Sequence, residues 1–315
     1  MGFWDLLSAM GITAVTTLGV AWLLTEKLIN NRLAKDLKQF DAKLTTAVNA
    51  ARAEVEAQYK ERVELVLGDA AADRAYRSEA RKRLYQALGP LRFQLLVAAA
   101  EWTNRVARIG LKSSGSYDMS LQGHFLRSTA YRLLRLLAIA ELIERQSAFA
   151  DFMVDPDMRT LLKFKRQAGQ CLSSADVSMA HPDEDWTSQK QHVFSDVLSN
   201  LAAAMIVKDA GTGIERVVRF DEFQRRFEDD DLWKELHPVP ALMVGFTPNS
   251  RPILWLRMLA LSQLCIGLLE AQGEPLGLEV QPINLNEMLH LSDDAFIMAK
   301  ANQYVGALKA VTANN

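Results

Sequence analysis

Hydrophobic and polar positions divide the chain into stretches with different periods. From Leu6 to Thr25 no residue carries a formal charge, and this run of 20 residues is long enough as a helix to cross a hydrocarbon layer of ~30 Å. Beyond it the apolar positions Ile29, Leu33, Leu37, Phe40, Leu44, Val48, Ala51, Val55 and Tyr59 recur among charged ones at spacings of 4, 4, 3, 4, 4, 3, 4 and 4. That 11-residue repeat has 3.67 residues per turn, close to the natural helix period, and predicts a nearly straight or weakly right-handed seam. The reading is a transmembrane anchor over 1–25, a coiled-coil-like helical stalk over 26–67 and an all-helical body over 68–315. In the stalk 8 basic and 7 acidic residues nearly cancel, so its stripe has two available covers: parallel copies of itself, or the body through a fold-back.

The body reads as a succession of helices. Gly68-Asp69 marks the expected end of the stalk. Gly89-Pro90 divides the next stretch into helices over 70–88 and 90–108, because Pro removes a backbone donor and crowds the preceding turn. A loop over 110–123 follows, then a helix over 124–153 carrying Arg127, Arg132 and Arg135 among its apolar residues. Asp155 as N-cap and Pro156 at the first helical position open another. Further helices are predicted over 187–207, 220–236, 251–271 and 292–311, the last capped by Ser292. "IERVVRF" and "LGLEVQPINL" are the two short strand candidates. The second long apolar run, Pro252 to Glu270, contains Arg257 and Gln263, which are expensive in lipid and mark it as a core helix of the body.

The blocks "EARKRLYQALGPLRFQLL", "STAYRLLRLLAIAELIER" and "RPILWLRMLALSQL", in this order behind an apolar helix and a charged stalk, resemble a group of bacterial single-pass, membrane-anchored helical proteins. The resemblance covers roughly Ala70 to Glu270. It implies a bacterial inner-membrane protein with a recurring helical domain, and it carries over no activity and no site residue.

Charge beside the first apolar run sets its expected orientation. Lys27, Arg32, Lys35, Lys38 and Lys43 follow it and no Lys or Arg precedes it, which predicts a body on the cytoplasmic side. Trp4, Trp22, Lys27 and Arg32 are the expected membrane-interface residues. A basic leading region and an A-x-A site, which a cleaved signal requires, are both missing.

The net charge of -2 speaks against a nucleic-acid partner, but the charge is uneven: Asp69 to Arg166 holds 17 basic and 10 acidic residues, Asp183 to Glu235 holds 7 and 13. Arg74, Arg77 and Arg81 fall on one helical face and form a candidate surface for an anionic or protein partner. Cys171 and Cys265 are far apart and read as reduced core residues. None of the five histidines has a second His or Cys at i+3 or i+4, and no phosphate-loop, dinucleotide or nucleophile-elbow motif occurs. The acidic turns "HPDEDW" and "FEDDDLW" read as solvated charge. No catalytic residue, cofactor or metal site is therefore expected. The functional expectation is a non-enzymatic, membrane-anchored oligomeric scaffold or effector that receives a protein partner or signal. A membrane-tethered enzyme and a helical ligand sensor are the alternatives.

Overall fold

A computed structural model describes residues 3–111, 117–147, 157–229, 234–278 and 283–313, with side chains described from 19 onward except at 157–158, 275 and 311–313. The N-cap expected at Asp155, the strand expected across 279–282, Asp230 and Asp231, and the side chain of Trp4 lie outside the described residues. The chain divides into two compact units, Met1–Tyr76 and Arg77–Asn315.

Helix α1 spans Phe3–Leu111. The expected helix ends at Gly68-Asp69 and Gly89-Pro90 are therefore corrected. Gly68 merely weakens a helix whose neighbours propagate it. Pro90 is tolerated because it and Gln86, whose carbonyl loses its backbone donor, are exposed, while Leu88 and Leu91 on the other side are buried. At an exposed position solvent is free to take the place of the missing hydrogen bond. Within the first unit an exposed Arg52–Glu56 ion pair one turn apart at 3.1 Å adds slight local support, and the Thr45 hydroxyl donates to the carbonyl of Asp41 at 2.7 Å.

In the second unit α1 buries Leu84, Leu88, Leu91, Leu95, Trp102 and Val106, a single face at spacings of three, four or seven. The second unit also holds α2 (His124–Ser147), α3 (Asp157–Ser173), α4 (Ser195–Ala204), α5 (Phe220–Glu228), α6 (Pro238–Met243), α7 (Pro252–Gln272), α8 (Leu285–Leu289), α9 (Ala295–Ala299) and α10 (Ala301–Ala313). Between α4 and α5 the antiparallel strands β1 (Ile206–Lys208) and β2 (Glu215–Val217) pair Ile206 with Val217 and Lys208 with Glu215. The strand expected in "IERVVRF" is present as β2, whereas its partner β1 begins with Ile206 and Val207, the expected end of the helix over 187–207. Asp209 organises the hairpin turn by accepting the amides of Gly211 and Thr212 at 3.0 and 3.1 Å, and Gly213 supplies the positive φ of 67°.

Helix α7 is apolar on all sides and is buried from Pro252 to Leu269, packing against α3 and α10. Among the residues whose side chains are described it is the one helix long and apolar enough to cross a membrane, with a mean hydropathy of 1.7, and that apolar window is wholly buried. It is the central core helix, as Arg257 and Gln263 implied. Three other helices are shorter than expected. The stretch 187–194 is irregular because Asp185 accepts the Thr187 amide and the Ser188 hydroxyl in its own turn. Helix α5 stops at Glu228, with Asp229 as its C-cap. The last predicted helix is split at Lys300, and its N-cap is Asp294, which accepts the Ile297 amide at 2.9 Å. Ser292 instead accepts the amide of Asp294 at 3.3 Å. The second strand candidate gives a 3-10 turn at Glu274–Leu276 on one side of the undescribed residues and α8 on the other. Among the described residues the architecture is all-α apart from the small hairpin.

Candidate functional site

The nine stripe residues lie on α1 and all are exposed: Ile29 at 57%, Leu33 at 59%, Leu37 at 54%, Phe40 at 63%, Leu44 at 52%, Val48 at 56%, Val55 at 63%, Tyr59 at 72%, and Ala51 with them. Each is an apolar surface left facing water by the single chain. Trp22, Lys27 and Arg32 are likewise exposed on α1. Arg74, Arg77 and Arg81 are also exposed, and Arg74 turns back to the carbonyl of Ala70 at 3.0 Å. All three lie on α1.

A different group of arginines converges. Arg105 and Arg108 sit one turn apart on α1 and Arg132 on α2, and together with Glu101 and Asn104 they line a recess of about 130 Å³. Ser128 on α2 organises it: its hydroxyl accepts from Arg105 Nη2 at 2.9 Å and also from Arg132 Nη1, which reaches the Ser128 carbonyl at 3.1 Å. The Arg105 guanidinium lies 4.1 Å over the Phe125 ring, on which Tyr117 stacks at 3.8 Å. Burial, and then the like charges of Arg132 and Arg108, push the Arg105 pKa down to about 10. Burial also lowers Arg132, against the opposing charge of Glu101. Glu101 is the one carboxylate lining the recess, and Arg135 Nη1 already holds it at 2.8 Å. Sequence reading noted Arg132 and Arg135 but not Arg105 and Arg108. The available signal was an i, i+3 arginine pair on each of two consecutive helices.

Elsewhere polar groups are brought together for structure. Arg257, wholly buried in α7, donates to Glu184 Oε1 at 2.6 Å and to the carbonyl of Ser174 at 2.8 Å. Glu184 also accepts from the Ser178 hydroxyl, and the Ser178 carbonyl accepts from Tyr304 at 2.7 Å. Glu184 is thus not solvated turn charge, which corrects the reading of "HPDEDW". His181, Asp183 and Asp294 offer ligand atoms near one another, but the donors are already engaged. His181 Nδ1 accepts the Asp183 amide at 3.1 Å, which leaves Nε2 as the donor to Asp294 Oδ1, also at 3.1 Å. A metal at Nε2 would displace that proton and the contact it makes. Met179 and Ala180, at φ of 50° and 56°, give the strained turn that delivers His181 and Glu184 to α9 and α7.

A larger recess of about 380 Å³ between α2, α3 and α4 is lined by Leu137, Leu198 and Ala202 with Glu141, Glu144 and Lys165. Two acidic and two basic residues line it, Arg166 being the second cation, and Lys165 Nζ holds Glu141 at 2.7 Å and contacts Glu144. Burial raises the Glu141 pKa, but the hydrogen bonds from Lys165 and Arg145 together outweigh it and hold the carboxyl below its usual range. The basic and acidic stretches of the sequence meet in Arg127–Glu228 at 3.3 Å and Arg145–Glu215 at 3.9 Å. Comparison with protein families, with curated proteins and with solved structures finds no match to this chain.

Proposed function

We propose that the chain is a bacterial inner-membrane scaffold: a single N-terminal span anchors it, its body faces the cytoplasm, and its long helix associates in parallel with a second copy through the 11-residue stripe. The observation that carries this reading is that α1 is uncovered from Gly19 to Glu79, which leaves the whole apolar stripe exposed, between 52% and 72% for its eight larger side chains. Burying one such side chain stabilises by ~1.5–3 kcal/mol, so a repeated row of them favours a covering partner strongly. A second copy is the occupant that presents the same 3.67-residue period, and anchoring both copies at the same end sets identical layers side by side. Flanking charges of 8 basic and 7 acidic residues do not oppose self-association. For the anchor, support comes from the uncharged run Leu6 to Thr25 and from Val20, Leu23 and Leu24, exposed on α1 as lipid-facing residues need to be. No membrane-tethered chemistry is required by this reading.

The test is the mass of the detergent-solubilised full chain by light scattering, for wild type and for the double variant Leu37→Asp, Leu44→Asp. Wild type is expected to be oligomeric. The variant, which places carboxylates in the seam, is expected to be monomeric with undiminished helicity. A wild-type monomer at micromolar concentration would refute self-association, and release of the protein from membranes by alkaline carbonate would refute the anchor.

A further inference from the structure

The arginine recess is more than the fold requires. Arg105 packs on Phe125 and bonds Ser128, which accounts for one guanidinium, but Arg132 is brought onto the same hydroxyl and Arg108 completes the lining. Gathering like charges on one side of a buried hydroxyl is unfavourable by itself, and the nearby carboxylate of Glu101 is shared with a fourth cation, Arg135. Among the described residues, the three arginines that line the recess and Arg135 beside it have the single lining carboxylate of Glu101 between them. Ser128 takes up only part of the donor capacity of Arg105 and Arg132, since each guanidinium carries five N–H groups in a planar fork. With Arg108 and the Asn104 amide on the rim, the recess is rich in donors and poor in acceptors.

Size narrows the ligand. A recess of about 130 Å³ is smaller than the ~300–1,000 Å³ of a drug-sized pocket. A compact group of four oxygens suits a recess of this size. Guanidinium forks match phosphoryl oxygens in pairs, with short charge-assisted hydrogen bonds.

We propose that the recess formed by Arg105, Arg108, Arg132 and Asn104 between α1 and α2 binds a phosphoryl group, carried either by free phosphate or by a phosphomonoester lipid headgroup. The anion neutralises the cluster, bridges α1 to α2 through its oxygens and makes this end of the helix pair responsive to a ligand. It acts independently of self-association along the stripe.

The experiment measures thermal unfolding of the full chain in neutral detergent with inorganic phosphate or chloride at equal ionic strength, and in mixed micelles carrying phosphatidic acid or phosphatidylcholine. The expected result is a saturable rise in the unfolding midpoint with phosphate and none with chloride. A rise confined to phosphatidic acid micelles assigns the lipid headgroup instead. Arg108→Gln, at an exposed position, is expected to weaken binding about tenfold to a hundredfold. Glu101→Gln, which removes the competing carboxylate, is expected to tighten it, an outcome that loss of structure would not produce. Equal responses to phosphate and chloride, with no response to phosphatidic acid, would overturn the proposal, and so would wild-type affinity in both variants.

Discussion

Arg257 Nη2 meets Glu184 Oε1 at 2.6 Å with the arginine side chain 0% and the glutamate 5% exposed, so the central helix of the body carries a charge that is paired from a turn 73 residues away. Burial lowers the Arg257 pKa and the charge of Glu184 opposes that shift. The guanidinium stays ionised because it has this carboxylate and two backbone carbonyls, of Ser174 and Cys171, around it.

Neutralising only the carboxylate should expose the cost of that arrangement. Glu184→Gln is expected to destabilise the body by ~3–5 kcal/mol, a fall of roughly 6–20 °C in the unfolding midpoint followed by circular dichroism. The double variant Glu184→Gln, Arg257→Met removes the orphaned charge and should recover most of the loss. Equal losses in the two variants would place the cost in packing instead of in the unpaired guanidinium.

Burial, opposed by the charge of Arg257, pushes the Cys171 thiol up to about 12, and burial with the nearby Cys171 pushes Cys265 well above its ordinary value. Both remain protonated and unreactive at neutral pH. A chromogenic disulfide reagent at pH 8 is expected to label neither thiol in the native protein and both in denaturant. Because the folded pKa values are raised, this contribution to stability is complete below pH ~9 and is lost as pH rises toward about 12. Prompt labelling of the native chain at pH 8 would contradict the buried assignment.

At the start of α5, Glu222 is held from both sides. Arg216 donates to its two oxygens at 2.7 Å each, and the Arg219 amide donates at 2.7 Å. Those side-chain hydrogen bonds, followed by the backbone one, lower its pKa from 4.5 to about 2. The folded value is depressed, so the stabilisation is present above pH ~4.5 and lost as pH falls through about 2. Denaturant unfolding across this range should show wild type more stable than Glu222→Gln at neutral pH, with the gap closing on acidification. A gap that is constant with pH would mean the carboxylate charge contributes nothing.

What was legible in the sequence depended on local periodicity and composition. The stripe from Ile29 to Tyr59 lies on a helix as its spacing required, Pro252 to Glu270 is a core helix as its length and its interior Arg257 required, and the two cysteines are buried. These features follow from the 3.6-residue turn and from the cost of hydrating apolar surface, both properties of neighbouring residues. Pro90 was misleading because its effect depends on which side of the helix meets water, and only packing of Leu88 and Leu91 decides that. Glu184 looked solvated between two aspartates until Arg257 was brought to it through the fold. The arginine recess likewise exists only because α2 sets Ser128 and Arg132 against Arg105. Charge pairing and desolvation act through space, between residues whose proximity no local pattern encodes, and so the tertiary structure alone decided which charges are buried, which are paired and which are left in surplus.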